Sequence, residues 1–466
     1  MDTFLSGKYV AGACICVLAP ILSVLAQPGY TIPQLVAAAN QHLPLLLEKN
    51  AEINSARAAV TETRHSFLPR LHFNDQLNIG SANSVAGAYL PLGYTPSVSA
   101  AVRAENNFTP ATGNIAVVYG EYELVNFGEH QARLQQSEAY VHLQEADLQQ
   151  QLYQLKSDVA HLYLSLLKTQ YRLQADSLNS DRYRSIYTVI HALVSSGLRP
   201  GSDTSLTKAE LSKAKITYTQ TLAAVNDLKQ QMSYLTGIPP GQMLLHTDTS
   251  AFRLHLPEPV PAFPSATDLS LHPALNYYRT REEIYRSNEN LINKSYLPRI
   301  MLAGSTWARG SSIQSNDSYG ALLGGWGYDR LNYMAGVALT YDLFTGIHKR
   351  DRLQVNRFNT QASEEALMQE QLTLQSAAAR ADNYLQMAET NLRELPVQSR
   401  SAEETYYQKL AQYRAGIITL IDLTNASFVL YRSQTDYIET VSDWYLAQLD
   451  KAAALGRLDQ FIQTIP

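Results

Sequence analysis

Apolar positions along this chain follow two periods, and the periods alternate in a fixed order. Leu148, Leu152, Leu155, Val159, Leu162 and Leu166 step by four and three residues, the spacing of a coiled-coil seam. Leu134 and Val141 extend one row backward, so the pattern predicts a helix from Glu129 to about Leu193. Leu367, Leu374, Ala381, Ala388 and Leu395, seven apart, predict a second one. A helix of about 65 residues is ~100 Å long. No small domain encloses such a rod, which must lie along neighbours in its own chain or in symmetry mates. Shorter heptad rows precede each rod (Leu46, Ile53, Val60; Tyr277, Ile284, Leu291), and Leu423, Leu430, Tyr437 and Trp444 follow the second.

Elsewhere the period is two. Leu71, Phe73, Leu77 and Ile79 alternate with His72, Asn74, Gln76 and Asn78, and a return strand is expected from about Asn114 to Phe127. Ile300 to Arg309 goes out in the same way. Tyr333, Ala335, Val337, Leu339, Tyr341 and Leu343 mark its return. Such lengths suffice for a tilted strand to cross a bilayer, and fit equally a soluble sheet with one wet face. The connecting loops, Ser81 to Gly113 and Gly310 to Arg330, are rich in Gly, Ser, Asn and Tyr. Leu68-Pro69-Arg70 and Leu297-Pro298-Arg299 end the preceding helices, and Gly197 and Gly416 stand just past the long ones. Pro396 falls inside the second long helix with no counterpart in the first, so a kink or local unwinding is expected there.

These segments are two copies of one unit. Ser66-Phe67-Leu68-Pro69-Arg70-Leu71 recurs as Ser295-Tyr296-Leu297-Pro298-Arg299-Ile300, an offset of 229, and Pro44 and Pro273 share it. Leu134 and Leu353, Gly197 and Gly416, and Asp203 and Asp422 keep an offset of 219. The offset changes once, inside the strand-and-loop stretch, while the helices stay in step. The division expected is a signal peptide over 1–26, a first repeat over 27–237, a Pro-rich linker over 238–266, a second repeat over 267–456 and a tail over 457–466.

Composition narrows the function. Lys and Arg number 37 against 42 Asp and Glu, a net charge of −5 that provides no basic excess for nucleic acid. Lys8, the apolar run from Tyr9 to Ala26 and its small-residue ending read as a secretory signal cleaved after Ala26. An N-terminal membrane anchor is the alternative, and lipidation at Cys14 is a weaker one. The mature chain then has no cysteine and relies on packing or assembly. No later segment approaches eighteen continuous apolar residues, which rules out a helical span and leaves a barrel open. The eleven histidines are scattered, and neither a zinc motif nor a phosphate loop is present, so the expectation is no enzyme, no cofactor and no metal.

A signal peptide, a twice-repeated order of helix, two strands, long helix, Gly turn and helix, and a Pro-rich midpiece together resemble the TolC family of outer-membrane efflux channels. The resemblance covers essentially the whole mature chain. Its most specific residues are Tyr413-Arg414-Ala415-Gly416, followed by Asp422-Leu423 and Ala426. It implies a mainly α fold with membrane β structure: duplicated long-helix hairpins forming an α-barrel tunnel, plus four strands per chain in a trimeric twelve-stranded β-barrel. The implied setting is the outer membrane and its lipid, with a helical extension into the periplasm. Partners would be two further copies of the chain, a periplasmic adaptor and an inner-membrane pump, the chain being a passive exit duct opened at its tips.

Residue by residue, the resemblance puts Asp203 and Tyr413 at positions matching an Asp–Tyr link that holds the tunnel shut. Ser202 matches a threonine that pairs with an arginine, but Ile418 stands at the arginine position, so that link is absent or is replaced by Arg199 or Arg414. Asp422 matches one of two aspartates ringing the constriction, and Asn425 stands at the other, which predicts a weakened cation preference. The turns carrying Gly197, Arg199, Arg414 and Gly416 would meet the adaptor. Asp203 and Asp422 fit equally well as first-turn acids, worth roughly 0.3–1 kcal/mol to any helix. Tyr413 fits as a seam residue. The rival from another class is a secreted coiled-coil scaffold or adhesin without a pore, which would not need strand pairs at matched positions.

Overall fold

The structure is a computed structural model that describes residues 29–85, 102–245 and 269–465. The signal peptide expected over 1–26 lies outside the described residues, as does most of the Pro-rich stretch. The chain opens with α1 (Ile32–His42) and α2 (Pro44–His65), then β1 (Arg70–Gly80), β2 (Ala111–Val125), α3 (Glu129–Ser195) and α4 (Gly201–Thr236). The second copy runs α5 (Pro273–Ser295), β3 (Arg299–Ser311), β4 (Arg330–Thr340), α6 (Thr345–Arg414) and α7 (Leu420–Ala454), and α8 (Leu458–Thr464) closes the chain. At 67 and 70 residues, α3 and α6 are each ~100 Å long.

Each long helix packs along its returning partner, α3 on α4 and α6 on α7, and α3 also touches α2, α5 and α7. The seam read from the sequence is the buried one. Leu155, Val159 and Leu166 of α3, Ala381, Ala388 and Leu395 of α6, and Leu423, Leu430 and Trp444 of α7 are all buried. The largest apolar cluster lies at the middle of the molecule, where α1, the end of α4 and α8 wrap the centre of α3. Residues 457–466, expected as a tail, hold α8, with Leu458 and Phe461 fully buried in that cluster. A smaller cluster fills the far end, between the two hairpin turns.

The four strands form one antiparallel sheet in the order β1-β2-β3-β4. Cross-strand partners share a face. Thus Phe73, Val118, Thr306 and Tyr333 form one row, and His72, Tyr119, Ser305 and Met334 form the row behind it. On the edge strands the first face is apolar (Leu71, Phe73, Leu77, Ile79; Leu331, Tyr333, Val337, Leu339) and exposed. The other face of β1 carries His72, Asn74, Gln76 and Asn78. Asp75 interrupts the apolar row, and the Tyr328 hydroxyl donates to it at 3.0 Å from the β3–β4 loop. That loop is tied further back by the Asn114 amide, which donates to the Trp326 carbonyl, and by an Arg103–Asp317 ion pair of 2.6 Å.

Two expectations change. The strand expected to return through Leu343 stops at Thr340, because the Asp342 carboxylate accepts the Phe344 N–H and its carbonyl accepts that of Thr345, turning the chain into α6. Pro396 does not unwind α6, which is continuous across it. The proline lacks one N–H, and neighbouring turns and the buried Leu392 and Leu395 hold the helix together.

Candidate functional site

The tips expected to carry function are built alike. At the first, Gly197 has φ +72°, and the Leu198 N–H reaches back to the Leu193 carbonyl at 2.9 Å. At the second, Gly416 has φ +76°, and the Ile417 N–H reaches Gln412 at 2.9 Å. Both are left-handed glycine stops that satisfy carbonyls left free at a helix end. The helices that leave the tips start differently. Thr419 and Asp422 form a reciprocal cap: the Thr419 hydroxyl donates to the Asp422 carboxylate at 2.6 Å, its backbone N–H does so at 3.0 Å, and the Asp422 N–H donates to the Thr419 hydroxyl at 3.3 Å. These donors, the Thr419 hydroxyl first, hold the Asp422 carboxyl below the usual range. α4 starts on Pro200 without a side-chain cap.

Asp203 lies in the first turn of α4, its backbone N–H bonded to the Pro200 carbonyl at 3.1 Å. Tyr413 is buried at the end of α6, and its hydroxyl has no hydrogen-bond partner among the described residues. No hydrogen bond joins the two among the described residues, although the Asp203 charge reaches the phenol. Burial pushes the Tyr413 pKa up, and Asp203 adds to the rise while Arg199 opposes it. Arg199 is the residue that crosses between the tips. Its guanidinium carbon stands 5.0 Å from the centre of the Tyr413 ring, a cation–π distance, and one of its nitrogens is 3.9 Å from where a β-carbon on Gly416 would sit.

Of the two candidates for the missing arginine, Arg199 thus faces the opposite hairpin and Arg414 is exposed. Ile418 packs on the apolar cluster beneath. Ser202 and Asn425 are exposed, without side-chain hydrogen bonds among the described residues.

A polar belt further up the rods was not anticipated. The buried Asp176 of α3 accepts from the Thr221 hydroxyl of α4 and the Tyr431 hydroxyl of α7, each at 2.6 Å. Nearly two turns closer to the tip, Arg182 donates to Asn179 at 3.2 Å and to Gln434 at 3.3 Å, and stacks 5.3 Å over the Tyr406 ring. Burial lowers the Arg182 pKa. A signal for Asp176 was present. Continuing the four-and-three stepping beyond Leu166 through 169 and 173 lands on 176, so the acid occupies a seam position.

The profile of the outer membrane efflux proteins matches residues 35–237 and 268–457. No curated protein matches by sequence. Among solved structures, the chain resembles CusC, studied for transmembrane channel formation, with a TM-score of 0.74 at 13% identity over 92% of both chains. It resembles the CmeC outer membrane channel of Campylobacter jejuni (TM-score 0.72, 13% identity, 92% of this chain and 86% of that one). The outer membrane protein VceC of Vibrio cholerae gives a TM-score of 0.69 at 15% identity, over 91% of this chain and 96% of that one.

Proposed function

Because the chain belongs to the outer membrane efflux protein family, an outer-membrane protein with a long helical periplasmic part, we propose that it is the passive exit duct of a multi-part efflux or secretion system. Three copies close the duct. The observation that carries this reading is the open sheet. β1 and β4 each present an apolar face and an edge that is unpaired among the described residues, and an unclosed edge in lipid leaves backbone groups without partners. Twelve strands from three chains remove every edge. The paired rods α3–α4 and α6–α7 then enclose a periplasmic tunnel, residues 27–237 and 267–456 acting as two copies of one unit around the linker 238–266.

The closed end is the hairpin tips, where Arg199 lies over the Tyr413 ring across the two turns of each chain and Asp203 places its charge nearby. Adaptor contact at Gly197, Arg199, Arg414 and Gly416 loosens them, and the inner-membrane pump supplies the energy. Asp422, exposed beside its cap, adds one carboxylate per chain to the constriction, with Asn425 leaving a second ring uncharged. One ring gives a mild cation preference.

The test is conductance in a planar bilayer. Wild type is expected to insert as a trimer with small conductance, and Asp203→Ala combined with Tyr413→Phe to raise it severalfold. Unchanged conductance removes these two residues from the closure, and a protein that stays monomeric or never conducts sinks the duct.

A further inference from the structure

The two repeats correspond contact by contact. Adding 229 to positions in β1 and 219 to those in β2 carries the Arg70–Glu121 pairing onto Arg299–Thr340, and the rest of the first hairpin's register onto that of the second. The same offsets carry the ion pair of Arg57 with Glu145 onto that of Arg286 with Glu364. One operation therefore relates the repeats in space as well as in sequence.

The chain also makes contacts between its repeats, β2 on β3 and α3 on α7. Their images under the operation are β4 on β1 and α6 on α4. One chain leaves both images unmade: β1 and β4 are the two edges of the sheet, and α4 and α6 do not pack along each other among the described residues. A second copy placed by the same operation supplies them.

The residues at the image positions fit that contact. On the strands, Val118 opposite Thr306 becomes Val337 opposite Leu77, and Ala116 opposite Ala308 becomes Ala335 opposite Ile79. The apolar positions of both edges then share one face, and a slip of one residue would set each row against the polar one. On the helices, the Tyr153 hydroxyl donates to the Ala453 carbonyl at 2.6 Å, and the image of that pair is Leu372 with Tyr234. The large ring has changed sides. In the single chain Leu372 and Tyr234 are 55% and 74% exposed. The charges do not carry over. His161 with Asp450 and Lys168 with Asp443 become Arg380 with Gln231 and Met387 with Ala224, neither of them an ion pair.

We infer that a second copy docks its β4 and α6 on β1 and α4 of the first in this register, Val337 facing Leu77 and Leu372 seated against Tyr234, and that the helix seam between copies is neutral where the seam within a chain is ionic. The inference rests on the duct reading and adds to it which residues meet.

The test uses the full protein purified from membranes, with wild type as the background for oxidation by copper phenanthroline. Tyr234→Cys with Leu372→Cys, and separately Leu77→Cys with Val337→Cys, are expected to give disulfide-linked oligomers. Their yield is expected to exceed severalfold that of two displaced pairs: Tyr234→Cys with Glu365→Cys, two helical turns away, and Leu77→Cys with Gly336→Cys, on the opposite face of the sheet. A matched pair that does not exceed its displaced control in trimeric protein overturns the inference. A repacked pair decides the matter should a cysteine variant not assemble. Tyr234→Ala is expected to raise trimer dissociation roughly tenfold, and adding Leu372→Tyr, which rebuilds the pair found within the chain, to recover most of the loss. No loss in the first, or no recovery in the second, overturns the inference as well. Light scattering of wild type separates the two failures: a trimer whose matched pairs do not link leaves the duct standing, and a monomer removes the duct itself.

Discussion

Removing the Asp176 carboxylate leaves two hydroxyls, on Thr221 and Tyr431, without an acceptor in a buried seam. Each unsatisfied group costs about 1–3 kcal/mol, so Asp176→Ala is expected to destabilise the helical region by about 2–4 kcal/mol. The check is a lower midpoint by circular dichroism in detergent, with Asp181→Ala, an exposed neighbour, as control. Burial and then the bond to Asp176 push the Tyr431 pKa up to about 12, so the phenol remains a donor across the working pH range. Asp176 was legible as an acid on a leucine seam, but its partners were not, because they come from helices about 45 and 255 residues away whose rotation no periodicity fixes. At the tips, Asp203 and Asp422 could be located from the repeat spacing, and Tyr413 from the family resemblance. That Arg199 covers the Tyr413 ring, and that Asp422 is engaged by Thr419, depends on turn geometry and side-chain reach.

The glycine stops make the same demand on the backbone and differ in space. Gly197 has φ +72° and open surroundings, so Gly197→Ala is expected to cost about 1 kcal/mol. Gly237 has the same φ, but a β-carbon there would meet the His42 ring at 2.6 Å. Gly237→Ala is therefore expected to lower the melting midpoint clearly more than Gly197→Ala, and equal shifts would show that the α1–α4 contact yields easily. Most elements were readable from period and punctuation, since heptads, alternation and the Leu-Pro-Arg stops coincide with the elements observed. The exceptions have local causes. β4 ends early because Asp342 captures the N–H of Phe344, and α1 is split from α2 at Leu43 and Pro44, a break between two apolar runs.

Across the whole molecule, a ladder of charges fastens the first repeat to the second and to α8: Lys156 to Asp459 of α8 at 2.8 Å, His161 to Asp450 at 2.7 Å and Lys168 to Asp443 at 3.3 Å. Burial opposes charge on His161, but the bond to Asp450, the Ser157 carbonyl and the Asp158 charge outweigh it and raise its pKa. A raised histidine stabilises fully below its unfolded value of about 6.5 and loses that contribution as pH rises through the folded value. Wild type is thus expected to melt slightly lower at pH 9 than at pH 6, by a margin that shrinks in Asp450→Asn; an equal margin in both proteins would remove this pair from the linkage. Both side chains are partly exposed, so the effect is small. Duplication made the two rods legible at this scale, whereas the closure of the sheet lies beyond any single chain's pattern. The continuous α6 holds one more consequence. Pro396 deprives the Leu392 carbonyl of its usual donor, 18 residues above the last residue of the helix, and α3 has no matching gap. Bending stiffness is therefore unequal between the two rods, and a sideways push applied equally to both tips deflects the second farther, as a notched reed yields before a whole one.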